Sequence, residues 1–140
     1  ALKGNSILRL IHYPPIEDSS NVLRARAHED INLITLLVGA EESGLEVQNP
    51  NGDWIPIAAK TKSIVCNIGD MMQLVTRSKL KSTTHRVVDH NSSTSASRYS
   101  MPFFLHPSPE IELCSIVDDS TESISAHDFL EERLKAIKLY

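Results

Sequence analysis

The sequence is poor in cysteine, has no long apolar runs and carries no excess of positive charge. Its two cysteines in 140 residues, Cys66 and Cys114, lie far apart and neither belongs to a CxxC pair. A disulfide framework or a thiolate zinc site is therefore not expected. Cys66 sits in the apolar run Ser63-Ile64-Val65-Cys66 and reads as a buried small hydrophobe in a reduced, cytoplasmic protein. Apolar stretches are only a few residues long, far short of the roughly 20 that a spanning helix needs. The first residues, Ala1-Leu2-Lys3-Gly4, lack the charged and then apolar layout of a secretory signal. Lys and Arg number 14 against 18 Asp and Glu, for a net charge of -4, and no basic stripe stands out. A nucleic-acid partner is not expected from that balance. Internal repeats are absent.

What remains is an ordinary globular mix, 41% hydrophobic and 23% charged, in a length that suits one domain over residues 1–140. Its dominant texture is short β-like runs separated by turn residues, which predicts a mostly β sandwich or barrel with a core over 7–116. Ile7 to Tyr13 reads as a first strand, stopped by Pro14-Pro15 because proline cannot donate to a ladder. Further strands are expected at Arg24–His28, Leu33–Val38, Leu45–Gln48 and Trp54–Ile57. The last two flank an Asn51-Gly52 pair, a hairpin signal. Ser63–Ile68 reads as a buried strand, Met71–Thr76 as a strand or short irregular element, and His85–Val88 and Arg98–Leu105 as strands. Ile111–Ile116 is the expected last strand. Glu17–Asn21 and the Ser/Thr-rich Asn91–Ser97 read as exposed loops. One helix is expected over about 125–138. Ser125 and Asp128 resemble a capping box, and Phe129, Leu130, Leu134 and Ile137 follow at helical spacing for packing against the barrel.

The candidate chemistry starts at His28-Glu29-Asp30. In an extended segment residues i and i+2 point the same way, roughly 7 Å apart, so His28 and Asp30 can converge on one ion while Glu29 points away. Taken alone the pair reads rather as a surface His beside a surface carboxylate. His85 opens a strand downstream, where an antiparallel fold can return it to the same place. Two His and one carboxylate on one face of a metal leave the other face open, as iron(II) oxygen chemistry requires and a closed four-ligand zinc site forbids. Arg98 and Ser100 also share a face. A guanidinium fork and a hydroxyl suit a carboxylate, and an Arg inside a barrel needs an anionic partner. By itself the Arg-x-Ser pair reads rather as a rim salt bridge, and Tyr13 equally as an amphipathic edge residue or a further donor.

These segments, in order, resemble a known family. The run is His12-Tyr13-Pro14-Pro15, His28-Glu29-Asp30 with Ile34-Thr35-Leu36-Leu37, Gly52-Asp53-Trp54-Ile55, and Asn67-Ile68-Gly69-Asp70 with Gln73. It continues through Lys81-Ser82, His85-Arg86-Val87 and Arg98-Tyr99-Ser100-Met101-Pro102-Phe103-Phe104. The chain resembles the C-terminal catalytic domain of the isopenicillin N synthase-like iron(II) and 2-oxoglutarate-dependent dioxygenases over most of its length. The resemblance implies a double-stranded β-helix, or jelly roll. It implies iron held by His28, Asp30 and His85, and the far carboxylate of 2-oxoglutarate held by Arg98 and Ser100 with help from Tyr13. The activity implied is dioxygen-dependent oxidation of a small organic molecule with release of succinate and carbon dioxide. Two rival readings stay open: a related iron oxidase that takes another carboxylate, and a non-catalytic jelly-roll binding module.

Departures carry expectations of their own. Members of this family are about twice as long and carry an N-terminal helical region, so the chain is expected to be a piece of a longer polypeptide. Many place a small polar residue where Glu29 stands, and Glu29 is expected to point outward. His12 is expected to pack, and His90, His106 and His127 to be solvated. Met71-Met72 reads as core filler and Arg86 as half of a structural ion pair.

Overall fold

The computed structural model describes residues 4–15, 23–38, 44–57, 62–88 and 97–137. The expected loop at Glu17–Asn21, His90 and all but the last residue of the Asn91–Ser97 stretch lie outside the described residues. In chain order the elements are β1 (Ile7–Leu8), β2 (Ile11–Tyr13), β3 (Leu23–His28), β4 (Ile34–Val38), β5 (Leu45–Gln48), β6 (Trp54–Pro56) and β7 (Ile64–Ile68). They continue with α1 (Asp70–Val75), β8 (His85–Val88), β9 (Arg98–Ser100), β10 (Pro102–Leu105), β11 (Glu112–Cys114), β12 (Ser123–Ser125) and α2 (Ala126–Ala136).

Two four-stranded antiparallel sheets form the body, one in the order β1-β10-β4-β7 and the other in the order β3-β8-β5-β6. Residues of both line a single cavity, as the jelly roll requires. The β5–β6 hairpin turns where expected. Gly52 takes a positive φ of 90° there, and Asn49 Oδ1 accepts the backbone N–H groups of Asn51 and Asp53.

The expected strands Ile7–Tyr13 and Arg98–Leu105 are each broken in two. They run antiparallel to each other in one register, pairing Ile7 with Phe104 and Leu8 with Phe103, then Ile11 with Ser100 and Tyr13 with Arg98. Between the two stretches the Arg9 N–H donates to the Pro102 carbonyl at 3.0 Å. Pro102 has no N–H to return that bond, so the ladder is interrupted at this point. β1 and β10 continue into a four-stranded sheet, while among the described residues β2 and β9 pair only with each other.

Three expectations need correction. Met71–Thr76 is not extended: Asp70–Val75 forms the helix α1. An acidic first residue suits a helix N-terminus, and Met71 and Val75, four apart, are buried on one side. Six residues are too few to show that period in the sequence. Ile111–Ile116 is not the last strand, because β12 follows and pairs with β11. Ser63–Ile68 is not fully buried. Ile64 and Cys66 are exposed while Val65 and Asn67 between them are half-buried, so Cys66 faces outward on one side of the sheet.

The best-packed apolar cluster is at one end of the sheets. Met71, Val75, Leu113 and Ala126 are buried together, with Ile31, Leu33, Phe129 and Leu130 against them. The C-terminal helix α2 therefore packs on α1 and the β11–β12 pair. Its start is capped as expected, with the Asp128 N–H donating to Ser125 Oγ at 3.0 Å. It ends at Ala136. Met71, 1% exposed, is core filler as expected.

Candidate metal centre

His28 is the last residue of β3 and pairs directly with His85, the first of β8. The chain leaves the sheet there, and Asp30 follows in the connection to β4. The irregular β3–β8 ladder shifts register twice before this pair, a device that re-aims side chains. One ligand atom from each of His28, Asp30 and His85 lies within 4.8 Å of the others. His28 Nε2 is 3.9 Å and His85 Nε2 is 3.8 Å from the same Asp30 Oδ1. The two imidazole centroids are 4.3 Å apart.

Both rings are oriented by the backbone. His28 Nδ1–H donates to the Arg26 carbonyl at 2.6 Å, and His85 Nδ1–H to the Thr83 carbonyl at 3.1 Å. A carbonyl can only accept, so each Nδ1 carries a proton and each Nε2 is the atom turned toward Asp30. Asp30 and His85 are buried, while the His28 side chain is 48% exposed and forms the open side.

The carboxylate is held from behind. Asn32 Nδ2 donates to Thr35 Oγ1 at 2.8 Å, and Thr35 Oγ1 donates to Asp30 Oδ2 at 2.6 Å. Asp30 Oδ1, the oxygen nearer the imidazoles, stays clear of that bond. The loop itself is tied to α1, since the Asp70 N–H donates to the Asp30 carbonyl at 2.8 Å and the Met71 N–H to that of Ile31 at 3.1 Å. Gly69 lets the two segments approach: a Cβ there would lie 2.0 Å from the Asn32 carbonyl oxygen. Thr35 stands in the matching segment Ile34-Thr35-Leu36-Leu37, and neither it nor Asn32 is among the site residues expected from the sequence. A polar residue inside the apolar run Ile34–Val38 was the available signal.

Glu29 is exposed and faces outward, as expected, where its carboxylate accepts a hydrogen bond from Thr84 Oγ1. Arg86 also points away from the site, with Nε 2.7 Å from Glu46 Oε2 and its guanidinium 4.0 Å from the Trp54 ring centroid. That is the structural ion pair expected of it.

Arg98, Ser100 and Tyr13 come together on the β2–β9 pair. Arg98 and Ser100 are buried on one face and Tyr99 is exposed on the other. Tyr13 is the direct cross-strand partner of Arg98, whose Cζ lies 5.3 Å from the phenol ring centroid. Arg98 is only 6% exposed, yet its Nε and Nη1 have no hydrogen-bond partner among the described residues. A buried guanidinium with idle donors is a site waiting for an acceptor. Tyr13 and Ser100 line the same cavity of about 380 Å³ as the triad. On the opposite face His12 stacks on Tyr99 with centroids 4.8 Å apart, so it packs as expected.

His127 is solvated as expected, 3.4 Å from Glu131. His106 is half-buried, which corrects the expectation of a solvated ring. Burial holds its pKa below the ordinary His value, opposed by the charge of Asp30.

Known proteins share the fold and part of the sequence. Residues 4–107 match the family model of the 2OG-Fe(II) oxygenase superfamily. A 2-oxoglutarate-dependent dioxygenase of Didymella fabae is 34% identical over 134 residues, spanning 88% of this chain and 40% of that protein. The 2-oxoglutarate-dependent dioxygenase citB of Monascus ruber is 43% identical over 103 residues, 69% of this chain and 30% of that one. The crystal structure of a full-length Neurospora crassa protein in complex with alpha-KG superposes with a TM-score of 0.85 at 31% identity, over 95% of this chain and 45% of that one. The chain thus spans less than half the length of these relatives. With three quarters of its sequence under the family model and its fold shared with the Neurospora protein, the chain belongs to the 2OG-Fe(II) oxygenase superfamily.

Proposed function

We propose that the protein is an iron(II)- and 2-oxoglutarate-dependent oxygenase acting on a small organic molecule, with residues 1–140 as its catalytic domain. His28, Asp30 and His85 are the iron ligands in this reading, and Arg98, Ser100 and Tyr13 receive the far carboxylate of 2-oxoglutarate. The observation that carries it is the pairing of two incomplete sites, the triad in a cavity that Tyr13 and Ser100 also line, and Arg98 beside those two on the β2–β9 pair. One is a two-His, one-carboxylate cluster with an exposed side. The other is a buried Arg98 whose Nε and Nη1 lack acceptors. The first fits iron(II) with open positions for co-substrate and dioxygen. The second fits a dianion that can reach both. Bound iron(II) with 2-oxoglutarate supplies the oxidising power, consuming dioxygen, releasing succinate and carbon dioxide, and hydroxylating, desaturating or cyclising the substrate. The chain's own part is to hold and aim. The backbone carbonyls fix the imidazoles, Thr35 fixes the Asp30 carboxylate, and Arg98 sets the distance of the co-substrate from the triad.

The reading also places the protein in the cytoplasm, without nucleic-acid or membrane partners. Cys66 and Cys114 are both free thiols, the state a reducing compartment maintains. No described helix is long and apolar enough to cross a membrane.

The test is succinate formation by the full-length protein supplied with iron(II), dioxygen and 2-oxoglutarate. Succinate that depends on all three and disappears in Asp30→Ala supports the reading. Turnover that ignores 2-oxoglutarate identifies a different carboxylate chemistry, and metal binding without turnover identifies a binding module.

A further inference from the structure

We propose that the substrate of this site is a small carboxylic acid with an apolar body, and that Arg9 receives its carboxylate. The proposal rests on the iron and 2-oxoglutarate reading above. Arg9, Ile11 and Tyr13 alternate along β2 and the residues before it, and all three line the cavity that holds the triad. Arg9 sits at the break between β1 and β2, where its own N–H is held by the Pro102 carbonyl at 3.0 Å. Its guanidinium makes no hydrogen bond or ion pair with any described residue. That sets it apart from Arg77, Arg86 and Arg133, each of which meets a carboxylate. It also differs from Arg24, which lines the same cavity but donates to the Pro14 carbonyl at 2.7 Å.

Charge decides what Arg9 is for. Among the described residues lining the cavity, Asp30 is the one acidic side chain. In the loaded site the charges of iron(II), Asp30, dianionic 2-oxoglutarate and Arg98 cancel, so none is left over for Arg9. A planar guanidinium without a partner matches a carboxylate in both charge and fork geometry. The rest of the wall sets the other half of the molecule: Ile11, Leu37, Leu45 and Phe104 offer apolar contact. A cavity of about 380 Å³ lies in the range of small-ligand sites.

The test uses the full-length protein under anaerobic conditions. Iron(II) and 2-oxoglutarate together give a visible charge-transfer band, which a molecule seated beside the iron perturbs. Benzoate, phenylacetate and hexanoate are titrated against their primary amides. The proposal predicts that at least one acid perturbs the band at a concentration about tenfold or more below its amide, as a charged hydrogen bond implies. Arg9→Gln should raise the acid's half-saturating concentration about tenfold and leave the amide's unchanged, while Arg9→Lys keeps part of the preference. Equal binding of acid and amide overturns the proposal, as does an acid response unaltered in Arg9→Gln or no response to any acid. Loss of the 2-oxoglutarate band in Arg9→Gln overturns it differently, by placing Arg9 with the co-substrate. Absence of that band from the unaltered protein is the failure of the underlying reading, and is seen before any acid is added.

Discussion

Thr35 Oγ1 donates to Asp30 Oδ2 at 2.6 Å, so the hydroxyl holds one oxygen of the carboxylate and leaves the other, Oδ1, facing the two imidazoles. The bond is buried and charge-assisted, and Asn32 completes it by donating to Thr35 in turn. Partners behind a metal ligand fix its orientation, and their loss typically costs about 10- to 100-fold in metal affinity. Thr35→Val keeps the shape and removes the donor. It should weaken iron(II) binding by about that factor in a competition titration, and Thr35→Ser should restore most of it.

Arg98 should govern co-substrate binding without touching the metal. Its Nε and Nη1 are buried and unpaired among the described residues, so a bound carboxylate would regain lost hydrogen bonds as well as charge. Truncating one side of a buried charge pair costs about 2–5 kcal/mol. Arg98→Ala should therefore raise the 2-oxoglutarate concentration at half-saturation by about 30-fold or more, with iron affinity unchanged. Arg98→Lys should recover part of the loss, since a single ammonium cannot reproduce the planar fork.

Gly69 should prove intolerant of a methyl group. The Cβ of alanine would sit 2.0 Å from the Asn32 carbonyl oxygen and 2.7 Å from the Asn32 carbonyl carbon, which are backbone atoms that cannot swing aside. Overpacking of this kind costs about 1–3 kcal/mol. Gly69→Ala should lower stability by about that amount in denaturant unfolding. It should also weaken iron binding, because the displaced loop carries Asp30 and Asn32.

Met71 anchors the apolar cluster beneath that loop, in contact with the β11–β12 pair and α2. Met71→Ala should cost about 2–5 kcal/mol in the same unfolding measurement, as large-to-small core changes do. The β5–β6 hairpin lies outside that cluster, so Ile55→Ala, at a half-exposed position, should cost less.

The site was more legible in the sequence than the fold around it. Side chains two apart on an extended chain share a face, so His28 with Asp30 and Arg98 with Ser100 declared their pairing locally. The return of His85 and Tyr13 to the same cavity depends on antiparallel registers between segments far apart along the chain, which strand spacing allowed for His85 and the resemblance specified for both. Thr35 and Asn32 were missed because their work is second-hand: each meets another side chain, and a Thr in a strand is ordinary in composition. α1 was misread because six residues cannot display a helical period. The break in Arg98–Leu105 falls beside its own Pro102, whereas the break in Ile7–Tyr13 was hidden because Pro102 acts there across the ladder, on Arg9. Cys66 was misplaced because an apolar run states that one side of a sheet is covered and is silent about the other.

The central claim is that His28, Asp30 and His85 form one iron site. The direct measurement is anaerobic iron(II) binding to the full-length protein and to His28→Ala, Asp30→Ala and His85→Ala, each checked for native folding by circular dichroism. The account predicts a single tight iron in the unaltered protein and loss of tight binding in each folded variant. Iron(II) binding of unaltered strength in any one of the three would contradict it.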